Sequence, residues 1–257
     1  ASAKITGGSS NPVSAVDQNQ PYVGSKNIRS GNIDTNDSRL HWAFTEPTDW
    51  VFSSPTVIDN TVYVGSNDSN VYAVNADTGQ REWVFTEPSG SVVSSPAVVN
   101  GTVYIGGSDS NLYAVDTSTG QSEWVFDEPS GDITSSPTVT NNNVYFGSYD
   151  SNIYAVNAET GSRVWTCTVA SEPINSSAVV VDGTVYIGSG DSNVYAIDAE
   201  NGDVLWTYTD PSAQIWSSPT VVDGTLYVGS YDTNVYAVDA ETGNREWVFT
   251  EPTEKIP

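Results

Sequence analysis

The stretch Val71-Tyr72-Ala73-Val74-Asn75-Ala76-Asp77-Thr78-Gly79-Gln80-Arg81-Glu82-Trp83-Val84-Phe85 returns, lightly varied, through most of a chain of 257 residues. Its landmark Trp83 belongs to the series Trp42, Trp83, Trp124, Trp165, Trp206 and Trp247, whose neighbours are 41 residues apart. The same offset carries Ser53-Ser54 to Ser94-Ser95, Ser135-Ser136, Ser176-Ser177 and Ser217-Ser218. It also carries Tyr63, Gly65, Asp68, Asn70, Tyr72, Ala73 and Gly79 through five complete units without insertion or deletion. A register kept this strictly identifies a repeat architecture before any single element is assigned.

Within one unit, Ser53 to Ile58, Thr61 to Ser66, Asn70 to Asn75 and Arg81 to Thr86 are rich in Val, Tyr and Thr. They are separated by Asp59-Asn60, by a turn around Asp68, and by a turn ending at Gly79. Such segments read as four strands joined by tight hairpins, with no helical periodicity between them. The first turn varies as Asp59-Asn60, Asn100-Gly101, Asn141-Asn142, Asp182-Gly183 and Asp223-Gly224, pairs that accept the positive φ of a two-residue hairpin. Four antiparallel strands about every 40 residues predict the blades of an all-β propeller.

The run Ala73-Val74-Asn75-Ala76-Asp77-Thr78-Gly79 with Trp83 beyond it resembles the tryptophan-docking motif of pyrroloquinoline-quinone-like (PQQ-like) repeat propellers. It recurs as Ala114 to Trp124, Ala155 to Trp165, Ala196 to Trp206 and Ala237 to Trp247. The resemblance implies that each indole packs across to the neighbouring blade. It places regular blades at about 51–86, 92–127, 133–168, 174–209 and 215–250, within a propeller over 20–257. A flexible lead-in over 1–19 is expected, and a degenerate unit over about 12–45, with Arg39 to Thr45 as an outermost strand, would bring the count to six. The alternative is part of a seven- or eight-bladed ring, whose open blade edges would favour self-association.

Charge narrows the function. The chain has 32 Asp and Glu against 8 Lys and Arg, a net −24, and an acidic composition of haloarchaeal type. Nucleic acid is an unfit partner, because binding it requires neutralising phosphates with Lys and Arg. Self-repulsion of this size keeps a protein soluble in concentrated salt, a lever of halophiles. No apolar run approaches the roughly 18 residues that would cross a bilayer as a helix. The opening Ala1-Ser2-Ala3 and the Gly/Ser/Asn-rich residues after it fit the start of a mature secreted chain, so a location outside the cell or on its surface is expected.

Strand order puts the second-to-third turn and the inter-blade link at one end. Those turns carry Asp68, Asp109, Asp150, Asp191 and Asp232; the links carry Glu46, Glu87, Glu128, Glu172, Asp210 and Glu251, each followed by Pro. These carboxylates are candidates for weak, diffuse binding of Ca²⁺ or monovalent cations around a central channel. A high-affinity metal site is not expected from groups spaced one blade apart, and each Asp has an alternative use in capping its own hairpin. The serine pairs should begin the innermost strand and line the channel with hydroxyls. They lack a base, since the one histidine is His41. Cys167 stands where other units have Phe85, Phe126 and Phe249, and reads as a small buried substitute.

No catalytic constellation and no cofactor site emerges from these residues, so a non-enzymatic scaffold that binds a protein or surface glycan through a propeller face is the leading expectation. The resemblance also admits a quinoprotein dehydrogenase using PQQ and calcium. Against it, many alcohol-oxidising members carry adjacent cysteines over the quinone and long inter-blade insertions, whereas this chain has one cysteine and uniform units. An envelope-assembly lipoprotein would need an N-terminal lipid-bearing cysteine, which Cys167 cannot supply. A sensor domain of a larger receptor is a further alternative.

Overall fold

A computed structural model describes residues 41–250, and within them every regular element is a strand. The first sheet holds β1 Thr56–Ile58, β2 Thr61–Gly65, β3 Val71–Asn75 and β4 Arg81–Phe85. The second holds β5 Ala97–Val99, β6 Thr102–Gly106, β7 Leu112–Asp116 and β8 Ser122–Phe126. The third holds β9 Thr138–Thr140, β10 Asn143–Gly147, β11 Ile153–Asn157 and β12 Arg163–Cys167. The fourth holds β13 Val179–Val181, β14 Thr184–Gly188, β15 Val194–Asp198 and β16 Val204–Tyr208. The fifth holds β17 Thr220–Val222, β18 Thr225–Gly229, β19 Asn234–Asp239 and β20 Arg245–Thr250. Each sheet is an antiparallel meander in chain order, the blade of a β-propeller. Two compact units are distinguished. One runs to Glu128 and includes Asp132–Ser136; the other comprises Pro129–Gly131 and the residues from Pro137 on.

The turns follow from their residues. Asp59 and Asn60 have φ of 48° and 66°, and the equivalent pairs in all five blades are likewise positive at both positions, the geometry whose twist matches paired strands. At the third-to-fourth turn, Asn75 Oδ1 accepts hydrogen bonds from the backbone N–H of Asp77 and Thr78 and from the Thr78 hydroxyl. Asp116 serves Ser118 and Thr119 in the same way. Every blade then carries a bulge between its last two strands, which sets Trp83 opposite Ala73 and its counterparts opposite Ala114, Ala155, Ala196 and Ala237. Those alanines are fully buried, so nothing larger than a methyl group fits beneath the indole.

Cores lie between successive blades. In the first unit Tyr63, Ala73 and Trp83 of one sheet pack with Val103, Ile105 and Tyr113 of the next. In the second, Tyr145, Ile153 and Trp165 pack with Val185, Ile187 and Tyr195, and Tyr186, Val194 and Tyr208 pack with Leu226, Val228 and Tyr236. Cys167 sits buried in the former, with its thiol pKa raised by that burial.

Three expectations change. The innermost strands begin at Thr56 and its counterparts and not at Ser53, because the serine hydroxyls take over the bonding there; in four of the five units the residue before the strand is also a Pro, with no N–H to give a ladder. Residues 41–45 form no strand, having no ladder partner among the described residues, although Trp42 and Phe44 occupy seats on the first blade like those of Trp83 and Phe85 on the second. Of the tryptophans read as equally buried, Trp83 and Trp165 are buried, Trp124 and Trp206 are half-buried, and Trp247, which no described blade follows, is 46% exposed. The lead-in, most of the degenerate unit, and Glu251 lie outside the described residues.

Candidate functional site

The loop end of each blade is built around its aspartate. Asp68 Oδ1 accepts the Asn70 N–H at 3.2 Å, closing the β2–β3 turn, while Oδ2 accepts the Tyr72 hydroxyl at 2.9 Å and the Thr48 N–H of the incoming link at 2.8 Å. Asp109, Asp150, Asp191 and Asp232 repeat the arrangement with the link N–H groups of Ser89, Ser130, Ser171 and Ser212 at 2.6, 2.9, 2.9 and 2.8 Å. Their tyrosine partners, Tyr113, Tyr154, Tyr195 and Tyr236, donate at 2.7 to 2.8 Å. One carboxylate therefore ties a turn, a core strand and a link together, and both of its oxygens are engaged. Burial pushes the Tyr72 hydroxyl up to about 12, with the Asp68 carboxylate adding to the shift, and raises Tyr113 and Tyr195 for the same reasons. For Asp232 burial acts upward, but the bonds from Tyr236, Ser212 and Asn234 outweigh it and hold the carboxyl below its ordinary value.

Two link carboxylates are also paired: Glu46 with Arg81, and Asp210 with Arg245 at 2.8 Å. Glu172 contributes its backbone carbonyl, which accepts the Ser189 hydroxyl at 3.3 Å. Glu87 and Glu128 belong to the links of the second and third blades. Among the described residues no three His, Cys, Asp or Glu side chains converge as a metal-binding group. A quinone with calcium needs converging oxygens, and the aspartates repeated at this end spend theirs internally. The five repeated aspartates, with both oxygens engaged, do not by themselves supply such a group.

The serines carry structure rather than a hydroxyl-lined surface. Ser94 Oγ accepts the Gly106 N–H at 2.8 Å and donates to its carbonyl, and Ser217 does the same with Gly229. The second serine joins blades: Ser95 Oγ accepts the Ser54 N–H at 2.9 Å, Ser136 that of Ser95, and Ser218 that of Ser177. His41 is exposed.

At the other end, the indole N–H groups of Trp42, Trp83, Trp165 and Trp206 donate to the carbonyls of Ala76, Thr117, Ala199 and Ala240, each on the next blade's last turn, at 2.6 to 3.1 Å. The Ala199 and Ala240 carbonyls also accept the hydroxyls of Tyr145 and Tyr186. Trp124 stands on β8 at the same place in its blade.

The serial reading of the repeat passed over the positions that break it. Trp50, Phe52, Tyr149, Trp216 and Tyr231 stand at the loop end where sister units carry small or polar residues. The signal was the departure from the 41-residue pattern.

Comparison with known proteins gives a consistent picture. A family model described as outer membrane protein assembly factor BamB matches residues 2–208 and 149–257. No curated protein sequence matches. Among solved structures, BamB from Moraxella catarrhalis has a TM-score of 0.69 at 21% identity, over 79% of this chain and 62% of that one. The computationally designed Ika8 protein has 0.70 at 18%, over 77% and 61%. Quinohemoprotein alcohol dehydrogenase ADHIIG from Pseudomonas putida HK5 has 0.67 at 20%, over 80% and 42%. This chain spans about three fifths or less of each, and at such identities the likeness is one of fold, a propeller of PQQ-like repeats.

Proposed function

Since this chain belongs to the family described as outer membrane protein assembly factor BamB, we propose that it is a non-enzymatic binding scaffold of the cell surface or exterior, adapted to high salt, that holds a protein or glycan through the loop end of its blades. One observation carries the reading. The groups at that end that recur in every blade and have the chemistry to act on a substrate, five aspartates and the serine pairs, are bonded into the loops that they hold. What varies from blade to blade is the side chains that such a frame presents. A frame that repeats and a surface that changes is the division of labour of a recognition module. The carboxylates contribute a diffuse field that gathers monovalent cations, with no cofactor required. Among the described residues no helix is long and apolar enough to cross a membrane.

The rival reading, an alcohol or sugar dehydrogenase, draws on the likeness to ADHIIG, which extends to fold alone. The deciding experiment incubates the protein with pyrroloquinoline quinone, Ca²⁺, an artificial electron acceptor and a panel of alcohols and aldoses. No acceptor reduction above the protein-free control is expected. Turnover that rises with added quinone would replace the scaffold by the dehydrogenase.

A further inference from the structure

Five nearly identical blades differ most in side-chain size at three positions of the loop end. The residue before the hairpin aspartate reads Asn67, Ser108, Tyr149, Gly190 and Tyr231. The residue before the serine pair reads Phe52, Val93, Thr134, Asn175 and Trp216, and the one two places earlier Trp50, Ser91, Asp132, Pro173 and Gln214. Between them stand residues that never change, Asp68 and its four counterparts. In the first blade Trp50 and Phe52 are 47% and 56% exposed, with ring centroids 5.2 Å apart at 66°. In the fifth, Trp216 and Tyr231 lie 5.2 Å apart at 54°, and Tyr231 is 62% exposed. Folding does not ask for these rings, since sister blades form the same loops with Ser, Gly, Val or Asn in those seats.

A second observation falls on the same seats. Among the described residues three side-chain polar atoms are buried without a hydrogen-bond partner, and two of them are Asn67 Oδ1 and Trp216 Nε1. Folded chains pair such atoms almost everywhere, so an orphan marks a place whose partner comes from outside the chain or arrives when a neighbouring side chain moves. The Asn67 N–H donates to the Trp50 carbonyl at 2.8 Å, and Trp216 is itself a member of the second pair, so each orphan belongs to a residue of these loop ends.

We infer that the loop ends of the first and fifth blades are each a stacking site for a neutral carbohydrate. The inference rests on the scaffold reading and names its ligand. A pyranose offers a face of C–H bonds to an aromatic ring and hydroxyls that both donate and accept, which matches Tyr and Trp surfaces with a polar tip. An anionic ligand is repelled by a chain of net −24. A basic peptide would be drawn by the net charge, but the carboxylates beside the rings already accept bonds from the loops, Asp68 and Asp232 from the links and Asp49 from the Trp50 N–H, and such a peptide, unlike a neutral sugar, would be released by salt. A protein interface centres on a contiguous apolar patch, whereas these rings are set among Ser, Asn, Asp and Gly.

The test is native electrophoresis through gels containing soluble starch, barley β-glucan, yeast mannan or galactomannan, followed by titration of tryptophan fluorescence with the matching oligosaccharide in molar KCl. Two variants borrow the second blade's residues: Trp216→Val with Tyr231→Ser, and Trp50→Ser with Phe52→Val. Because the fold already uses Val93, Ser108 and Ser91 at those positions, both should melt close to the parent. At least one polysaccharide should retard the parent, with affinity unchanged by salt; each variant should lose about one of the two oligosaccharide sites, and the two variants combined should weaken binding about tenfold or more. Undiminished binding in the folded variants would overturn the inference, as would a parent that none of the polysaccharides retards. A protein ligand lost in the same variants would overturn the carbohydrate assignment and leave the scaffold reading standing, whereas quinone-dependent turnover would remove the scaffold reading itself.

Discussion

At the residue scale, the repeat itself distinguishes a glycine needed for its backbone from one needed for its lack of a side chain. Gly183 and Gly202 belong to one blade and have almost the same φ, 78° and 79°. A Cβ on Gly183 would meet nothing within 4 Å, and sister units place Asn60 and Asn142 at that turn position. A Cβ on Gly202 would come within 2.8 Å of the Trp165 ring, and all five units keep glycine there. Gly183→Ala is therefore expected to cost only the positive-φ penalty, about 1 kcal/mol. Gly202→Ala adds an overlap that moves the indole off the Ala199 carbonyl, for a total of roughly 3 to 4 kcal/mol. Paired denaturant titrations of the two variants check the difference; equal losses would mean that the indole is not held where Gly202 leaves room for it. The six spaced tryptophans were legible as packing groups because they recur, whereas Trp50 and Trp216 stand outside the series and gave periodicity nothing to read.

At the scale of elements, strands and turns were legible because each turn is written in local chemistry, Asp-Gly or Asn-Gly pairs and an Asn or Asp that caps its own hairpin. The long-range half of the same side chains was not. Nothing in the spacing of Asp191 and Ser171 says that the link N–H will end on that carboxylate, nor that Tyr195 will share it. This shared bond sets the pH limits of the fold. The Tyr72 hydroxyl is raised to about 12 in the folded chain, so the unfolded chain loses that proton first; the contribution is whole below about pH 10 and fades as pH climbs towards 12. Asp232 is held below its ordinary value, so its contribution is present at neutral pH and fades as pH falls through the lowered value. Unfolding free energies measured across pH in molar KCl, where general repulsion is screened, should show a plateau with a falling limb on each side. Asp232→Asn should flatten the acid limb and Tyr72→Phe the alkaline one, with tyrosinate absorbance reporting the latter ionisation. An alkaline limb unchanged in Tyr72→Phe would assign it to other tyrosines.

At the scale of the whole molecule the dominant quantity is charge, which composition states outright and which no single loop accommodates. The net −24 arises from 32 acidic and 8 basic residues, so most carboxylates have no basic partner anywhere in the chain. Within the loop ends three or more hydrogen bonds hold each aspartate in its charged form without removing the charge, and Arg81 and Arg245 offset Glu46 and Asp210. The remaining carboxylates still repel one another, and folding brings them closer than the unfolded chain does. Since no three described His, Cys, Asp or Glu side chains converge, the ion atmosphere is the expected source of relief. The Debye length falls from about 30 Å at 0.01 M salt to about 3 Å at 1 M, which takes the repulsion from spanning a blade to barely spanning a contact. The melting temperature should therefore climb steeply between those two concentrations, to the same extent in KCl and NaCl, while micromolar Ca²⁺ at low salt adds little. Thermal melts in both salts with a Ca²⁺ titration alongside measure this directly. A flat response to monovalent salt with a large rise at micromolar Ca²⁺ would instead require oxygens converging on one ion, and the loop aspartates could supply them only by giving up the tyrosine and link bonds that hold each blade's end together.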